Sequence, residues 1–274
     1  MSVPAQAWLL ATWAWPLALL LACTQPAVLR VMPRLLALAP MPALAASLLA
    51  AHAPRVSIGG RPLELLFALD APGALLLGVA ALLWIAAGTY AGPYLRNGAH
   101  AGRFAACWLL AAAGCLGLFV AADLVSLYAM LAMMTIGAGG LVIHDGTPRA
   151  WRAGATYVGI ALLAESVLLV GLVMLAAEMP GPGLAIEDAV ATLAASPDRD
   201  AILTLLIAGF GVKAGLVPLH VWMPLAHSAA PVPASSVLSG AVVKAGIIGL
   251  IRFLPSGEAL PATGQLLAWA GFVT

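Results

Sequence analysis

Several stretches of about 20 residues in this chain contain no charged side chain, among them residues 5–25, 71–92, 104–121 and 124–143. Each is long enough to cross a hydrocarbon core about 30 Å thick. Such stretches cannot all be hidden inside one water-soluble domain. A hydrophobic share of 63% against 8% charged residues lies far outside the soluble range. The expected fold class is therefore all-α, a polytopic bundle of transmembrane helices. A β-barrel would need alternating polar and apolar residues, which are not seen. The net charge of +1 leaves no basic stripe for phosphates, so nucleic acid is not an expected partner.

The hydropathy pattern predicts spans over 5–25, 32–51, 71–92, 104–121, 124–143, 153–177, 201–229 and 232–253, with the start of a ninth near 263. The first lacks a basic flank before it and reads as a helix, not as a signal peptide. Polar clusters such as "HAPRVSIGGRP", "YLRNGAHAGR" and "HDGTPRAWR" separate the spans. In the longest connection, Ala185 to Ala195 predicts a short interfacial helix. Cys23, Cys107 and Cys115 sit in apolar runs without a CxxC or Cys/His spacing, so they read as packing residues and no metal site is expected. "GAGG" at 137–140 follows no strand and reads as close helix packing, as do Met130, Met133 and Met134.

The seventh stretch is too long and too interrupted for one straight helix. Pro218 removes a backbone donor, and Gly211 and Gly215 loosen the same turns. The hydrogen-bond ladder is predicted to lapse between Lys213 and Pro218, leaving carbonyls free for water or an ion. Irregular backbone at membrane depth is tolerated where protein or a wet cavity covers it, and transporter ion sites are built that way.

Both lysines of the chain, Lys213 and Lys244, lie in apolar runs, and Glu165 does too. Each is about the thirteenth residue of its span. A lysine at helix centre costs roughly 2.5–3.5 kcal/mol on insertion scales, so such groups face the bundle interior and find partners. One reading is a structural Glu–Lys lock between helices. The favoured reading is an ion or proton relay, because desolvation depresses a lysine pKa and a nearby carboxylate restores it. Glu165 is the acid placed near the midplane and is expected to partner Lys213. His220 and His227 are two helical turns apart and could share a face. Haem ligation is not favoured, since His52, His100 and His144 lie in connections and offer no opposing mid-span ligand.

Residues 212–255, "VKAGLVPLHVWMPLAHSAAPVPASSVLSGAVVKAGIIGLIRFLP", resemble the signature of antiporter-like membrane subunits. That family is shared by respiratory complex I, membrane-bound hydrogenases of the formate-hydrogenlyase type and multisubunit cation/proton antiporters. "FALDAPGALLLGVAALLWIAAGTYAGPYL" and "ADLVSLY" resemble the family's third span and the start of its fifth. The resemblance implies a bundle of roughly fourteen helices with two inverted five-helix repeats, each holding a broken helix and a buried lysine. Residues 1–103 would then be N-terminal helices, 104–253 the first repeat, and 254–274 the start of a truncated further span. Lys213 would be the proton-bearing lysine of the broken helix and Lys244 the central relay. His220 and His227 match motif histidines, Pro218 marks the break, and Pro231 and Pro233 match the A-P-x-P element.

Two departures stand out. The family's fifth span usually reads Y-x-x-W-E, whereas "YAMLA" puts Ala132 where the glutamate belongs. The chain also ends at Thr274, about a dozen residues into an apolar run, which reads as a fragment or truncated gene product more readily than as a natural terminus.

The function expected is that of a proton-translocating, antiporter-like subunit of a complex-I-like NADH-quinone oxidoreductase or hydrogenase membrane arm. Alternatives are a subunit of a multisubunit sodium/proton antiporter and a non-conducting scaffold subunit. No flavin, quinone or iron–sulfur motif is recognisable, so no cofactor is expected and redox chemistry would belong to partner subunits. The partners expected are those other membrane subunits, the lipid bilayer, and protons or sodium ions. The location expected is the cell inner membrane.

Connections after spans one, three and five carry Arg30, Arg34, Arg96, Arg103, Arg149 and Arg152, against Arg55, Arg61, Arg199 and Arg252 opposite. The bias predicts the first set inside and the N-terminus outside. Cysteines introduced at Asn97 and Ser196 test this by impermeant labelling. Position 196 should react from outside and position 97 only after permeabilisation; preferential labelling of 97 from outside reverses the topology.

Overall fold

The structure is a computed structural model, and it describes residues 4–51, 53–60, 63–96, 100–254 and 261–274. His52, Arg61 and Asn97 lie outside the described residues. Among the described residues, six helices are long and apolar enough to cross a membrane. They are α1 (Ala5–Ala22), α4 (Ala71–Tyr94), α5 (Ala101–Val120), α6 (Leu124–Ile143), α7 (Pro148–Glu178) and the continuous helical run Val232–Phe253.

Two of the expected spans are not single helices. Residues 32–51 were expected to form one. Instead α2 (Pro26–Val31), two short 3-10 turns and α3 (Met41–Leu49) form a pair of segments bent by 79°. The prolines explain it: Pro26, Pro33 and Pro42 each stand in the first turn of a new element, where a missing N–H does no harm. The expected 201–229 span is α9 (Arg199–Ala214) and α10 (Trp222–Ala229), separated by turns. The short helix expected over Ala185–Ala195 is α8 (Ile186–Ala195), and the apolar run at the end is α13 (Pro261–Val273).

The connection read only as a polar cluster folds as a hairpin. Strands β1 (Val56–Gly60) and β2 (Leu63–Phe67) pair antiparallel, with Val56 opposite Phe67 and Gly60 opposite Leu63. Residues 120–124 run between β2 and the segment before α8. Ala122 donates to Leu66 and accepts from Ile186, while Leu124 donates to Leu184. Asp123, fully buried, holds this layer together. One carboxylate oxygen accepts from the Leu66 amide at 2.5 Å, and the other from Val125 and Ser126 at 2.8 Å, capping α6. Arg252, in the last turn of α12 (Val243–Phe253), donates to the carbonyls of Leu118, Phe119 and Ala121 that close α5. It also pairs at 3.2 Å with Asp70, the N-cap of α4. One face of the bundle is thus tied together by backbone pairing and one guanidinium.

Helix α5 is apolar all round and almost wholly buried, so the core is centred on it, with α1, α4 and α6 packed around it. Its approach to α6 is close: a Cβ on Gly114 or Gly137 would stand 2.7 Å from the Cα of Met134 or Ala111. "GAGG" is part of that packing stripe. Helix α9 is gripped on two sides in the same manner. A Cβ on Gly209 would meet the Ala164 carbonyl at 3.0 Å, and one on Gly246 would meet the Phe210 carbonyl at 2.7 Å and the Lys213 carbonyl carbon at 2.9 Å.

Because the atoms opposite Gly246 are backbone, they cannot rotate away. Gly246→Val should lower the thermal unfolding temperature of the protein in detergent by about 2–10 °C, the shift that overpacking by about 1–3 kcal/mol produces. Gly159→Ala, where a Cβ meets nothing within 4 Å, should leave it unchanged or raise it slightly. Equal unfolding temperatures for Gly246→Val and the parent would refute the close α9–α12 approach.

Candidate functional site

Three helices bring one polar side chain each to a common point inside the bundle. Glu165 stands midway along α7, Lys213 in the last turn of α9 and Thr135 on α6; all three are at most 4% exposed. The Lys213 ammonium donates to Glu165 Oε1 at 2.7 Å and to Thr135 Oγ1 at 2.5 Å. The Thr135 hydroxyl can donate either to Glu165 Oε1 or, at 3.0 Å, to the carbonyl of Leu131. A buried cation is paired here with a buried anion, and the hydroxyl bridges them, which is what keeps two charges tolerable in this setting.

The break in the seventh span places Lys213. Gly215 takes the left-handed conformation with φ 72°, where side chains other than glycine are strained. The amide of Leu216 then bonds the Gly211 carbonyl at 2.9 Å and that of Gly215 bonds the Val212 carbonyl at 3.1 Å, the two bonds of a Schellman ending. The Trp222 indole adds a third bond to Val212, at 2.8 Å. The ladder lapses after Ala214, as expected from sequence, and the carbonyls of Gly211 and Val212 just before the lapse are taken up by the chain itself. What the break does supply is a helix C-terminus inside the bundle. Its partial negative charge favours a cation in the last turn, and that cation is Lys213.

The remaining residues singled out by sequence lie apart from this cluster. Lys244 is half-buried at the start of α12, just after a π-turn over Leu238–Val242, and donates at 3.0 Å to the carbonyl of Ser239 on its own helix. It makes no bond to Glu165 or Thr135 among the described residues. Pro218 lies within the break. His220 lies in the turn before α10, so it does not share a helix face with His227. His227 Nδ1 is 3.2 Å from Ser235 Oγ, and its Nε2 and His220 Nδ1 are buried without hydrogen-bond partners among the described residues. Pro231 caps α11 (Val232–Val237) and Pro233 opens it, both buried. Ala132 is half-buried on α6, one turn before Thr135. Sequence reasoning missed Thr135. It is the one polar side chain of α6 after Tyr128, which was the available signal.

A family profile described as NADH:quinone oxidoreductase/Mrp antiporter, transmembrane, matches residues 121–274. Subunit N of the NADH-quinone oxidoreductase of Desulforudis audaxviator is 34% identical over 204 residues, covering 71% of this chain and 40% of its own. Hydrogenase-4 component B of Escherichia coli is 30% identical over 219 residues, covering 75% of this chain and 30% of its own. This chain therefore spans less than half the length of these curated relatives. A chain of respiratory complex I from Thermus thermophilus superposes with a TM-score of 0.71 at 21% identity, over 96% of this chain and 57% of that one. That likeness establishes a shared fold. Together with the apolar helices, the matches identify an integral, multi-pass membrane protein. With the profile matching more than half of its residues, the chain belongs to the NADH:quinone oxidoreductase/Mrp antiporter transmembrane family.

Proposed function

We propose that the chain is a proton-translocating, antiporter-like subunit of a complex-I-like NADH-quinone oxidoreductase or hydrogenase membrane arm. The observation that carries this is the buried Lys213–Glu165–Thr135 cluster at the end of a broken helix. Closed, the pair keeps the ammonium charged, since the carboxylate at 2.7 Å offsets the loss of hydration. Drawn apart, the lysine loses that compensation in an apolar setting and gives up its proton. Relative motion of α7 and α9 would thus be converted into release and uptake. Lys244 is assigned as the next relay group, with His220 and His227 supporting it. Residues 104–253 are assigned as the first of two inverted repeats.

The partners in this reading are other membrane subunits, as in the multisubunit complexes whose chains share this fold. Redox chemistry stays with those partners. The location is the cell inner membrane, with the N-terminus outside. The family description also names Mrp antiporters, and proton uptake measured with and without sodium separates a sodium-coupled subunit from a proton-only one. A specific feature favours a scaffold as second reading: Ala132 stands where the family places a glutamate. In the proton-translocating reading Glu165, one helix along, takes over from it.

Proton uptake by vesicles holding the complete complex tests the proposal. Glu165→Gln and Lys213→Ala should each reduce uptake at least tenfold. Ala132→Glu, one turn from Thr135, should restore part of the loss in Glu165→Gln. Normal uptake in Glu165→Gln alone would demote Glu165 to a packing residue, and normal uptake in both would favour the scaffold.

A further inference from the structure

The last turn of α9, which carries Lys213, is tied to α7 at two levels. One turn before the lysine, Gly209 rests on Ala164 and Leu168 of α7. At the level of the lysine itself a second tie runs through Trp222, the first residue of α10, across the break. Trp222 is 3% exposed. Its indole N–H donates at 2.8 Å to the carbonyl of Val212, the neighbour of Lys213 in the chain. Its ring meets that of Tyr157 edge to face, with centroids 5.3 Å apart. Tyr157 belongs to α7 and stands eight residues before Glu165. One side chain therefore touches both helices that carry the ion pair.

Ring packing does not by itself demand this hydrogen bond. The indole N–H of Trp108, also buried, has no hydrogen-bond partner among the described residues. The Val212 carbonyl does not depend on the bond either, because the Gly215 amide already reaches it at 3.1 Å. What the bond adds is a fixed place for the end of α9 against the ring that packs on α7. The fit is tight. Tyr157, Ala161, Val212, Lys213, Trp222 and Val242 leave between them a void of only about 10 Å³. With so little free space a displaced Trp222 moves its neighbours, because close-packed interiors transmit strain.

We propose that Trp222 is a positioning residue for proton translocation: its indole ties the last turn of α9 to α7 and so sets the separation of Lys213 and Glu165. The inference rests on the reading of that pair as the proton-bearing group. Trp222 itself neither gives nor takes a proton in this role. It keeps the ammonium within reach of Glu165 Oε1, at 2.7 Å, and without it the closed arrangement is less populated.

Trp222→Phe keeps an aromatic ring and removes the N–H; Tyr157→Leu removes the ring on which the indole packs. Proton uptake is measured in vesicles holding the complete complex, beside Lys213→Ala. The infrared carboxylate band of Glu165 is read on the same complex, as the difference that Glu165→Gln makes in each background. The expected result is a shifted Glu165 band in both variants, in an assembled complex, with uptake slower by roughly three- to tenfold, the range that one buried hydrogen bond spans in an equilibrium. An unmoved band in either variant overturns the proposal whatever the uptake, because the pair then keeps its geometry without the tie. A shifted band with parental uptake, while Lys213→Ala abolishes uptake, also overturns it and leaves the role of the pair standing. Parental uptake in Lys213→Ala overturns both. Should Trp222→Phe fail to assemble, Tyr157→Leu decides alone by the same two readouts.

Discussion

The contact between Lys213 and Glu165 governs the rest of this architecture, because neither charge could be buried without the other. Holding an ammonium and a carboxylate at 2.7 Å inside an apolar bundle requires two backbones to approach closely and stay in register. Gly209 lets α9 settle against Ala164 and Leu168 of α7, one and three residues from Glu165 on the chain. Gly246 lets α12 settle against the backbone of Phe210 and Lys213 from another side. The small residues of this region are thus the counterpart of the charges. They set the distance over which the charges must compensate each other.

The helix ending beside Lys213 belongs to the same solution. An unbroken helix through residue 213 would offer the lysine no terminal dipole. The Schellman ending at Gly215 leaves the carbonyl end of α9 inside the bundle and still satisfies the carbonyls of Gly211 and Val212 internally. Its electrostatic effect is exerted on the lysine, which has Glu165 and Thr135 as side-chain partners.

Those parts of the site that break a strong local rule were legible in the sequence. A lysine or glutamate in a run of aliphatic residues violates the membrane rule so clearly that Lys213, Lys244 and Glu165 stand out unaided, and Gly215 with Pro218 marks the helix ending. Thr135 did not stand out, because a hydroxyl is tolerated in any membrane helix by bonding back to the carbonyl four residues earlier, as it does to Leu131. The bend over residues 26–49 was written in Pro26, Pro33, Pro40 and Pro42, but the hydropathy window averages over them. The hairpin was hidden by its length, since five residues such as "VSIGG" carry too little alternation to identify a strand.

The layer organised by Asp123 and Arg252 has a mechanical consequence. It clamps the start of α4, the ends of α5 and α12, the start of α6 and the chain leading into α8 at one face of the bundle. A helix tilting about such a rim moves a residue further the farther that residue lies from it. Glu165 lies 13 residues from Glu178, the end of α7 from which the chain runs on to this rim, a lever arm of roughly 20 Å at 1.5 Å per residue. A tilt of about three degrees moves its carboxylate by about 1 Å on that arm. Such a motion is small for a helix and large for a hydrogen bond, so a slight swing at one rim is enough to join the lysine to its carboxylate or to part them.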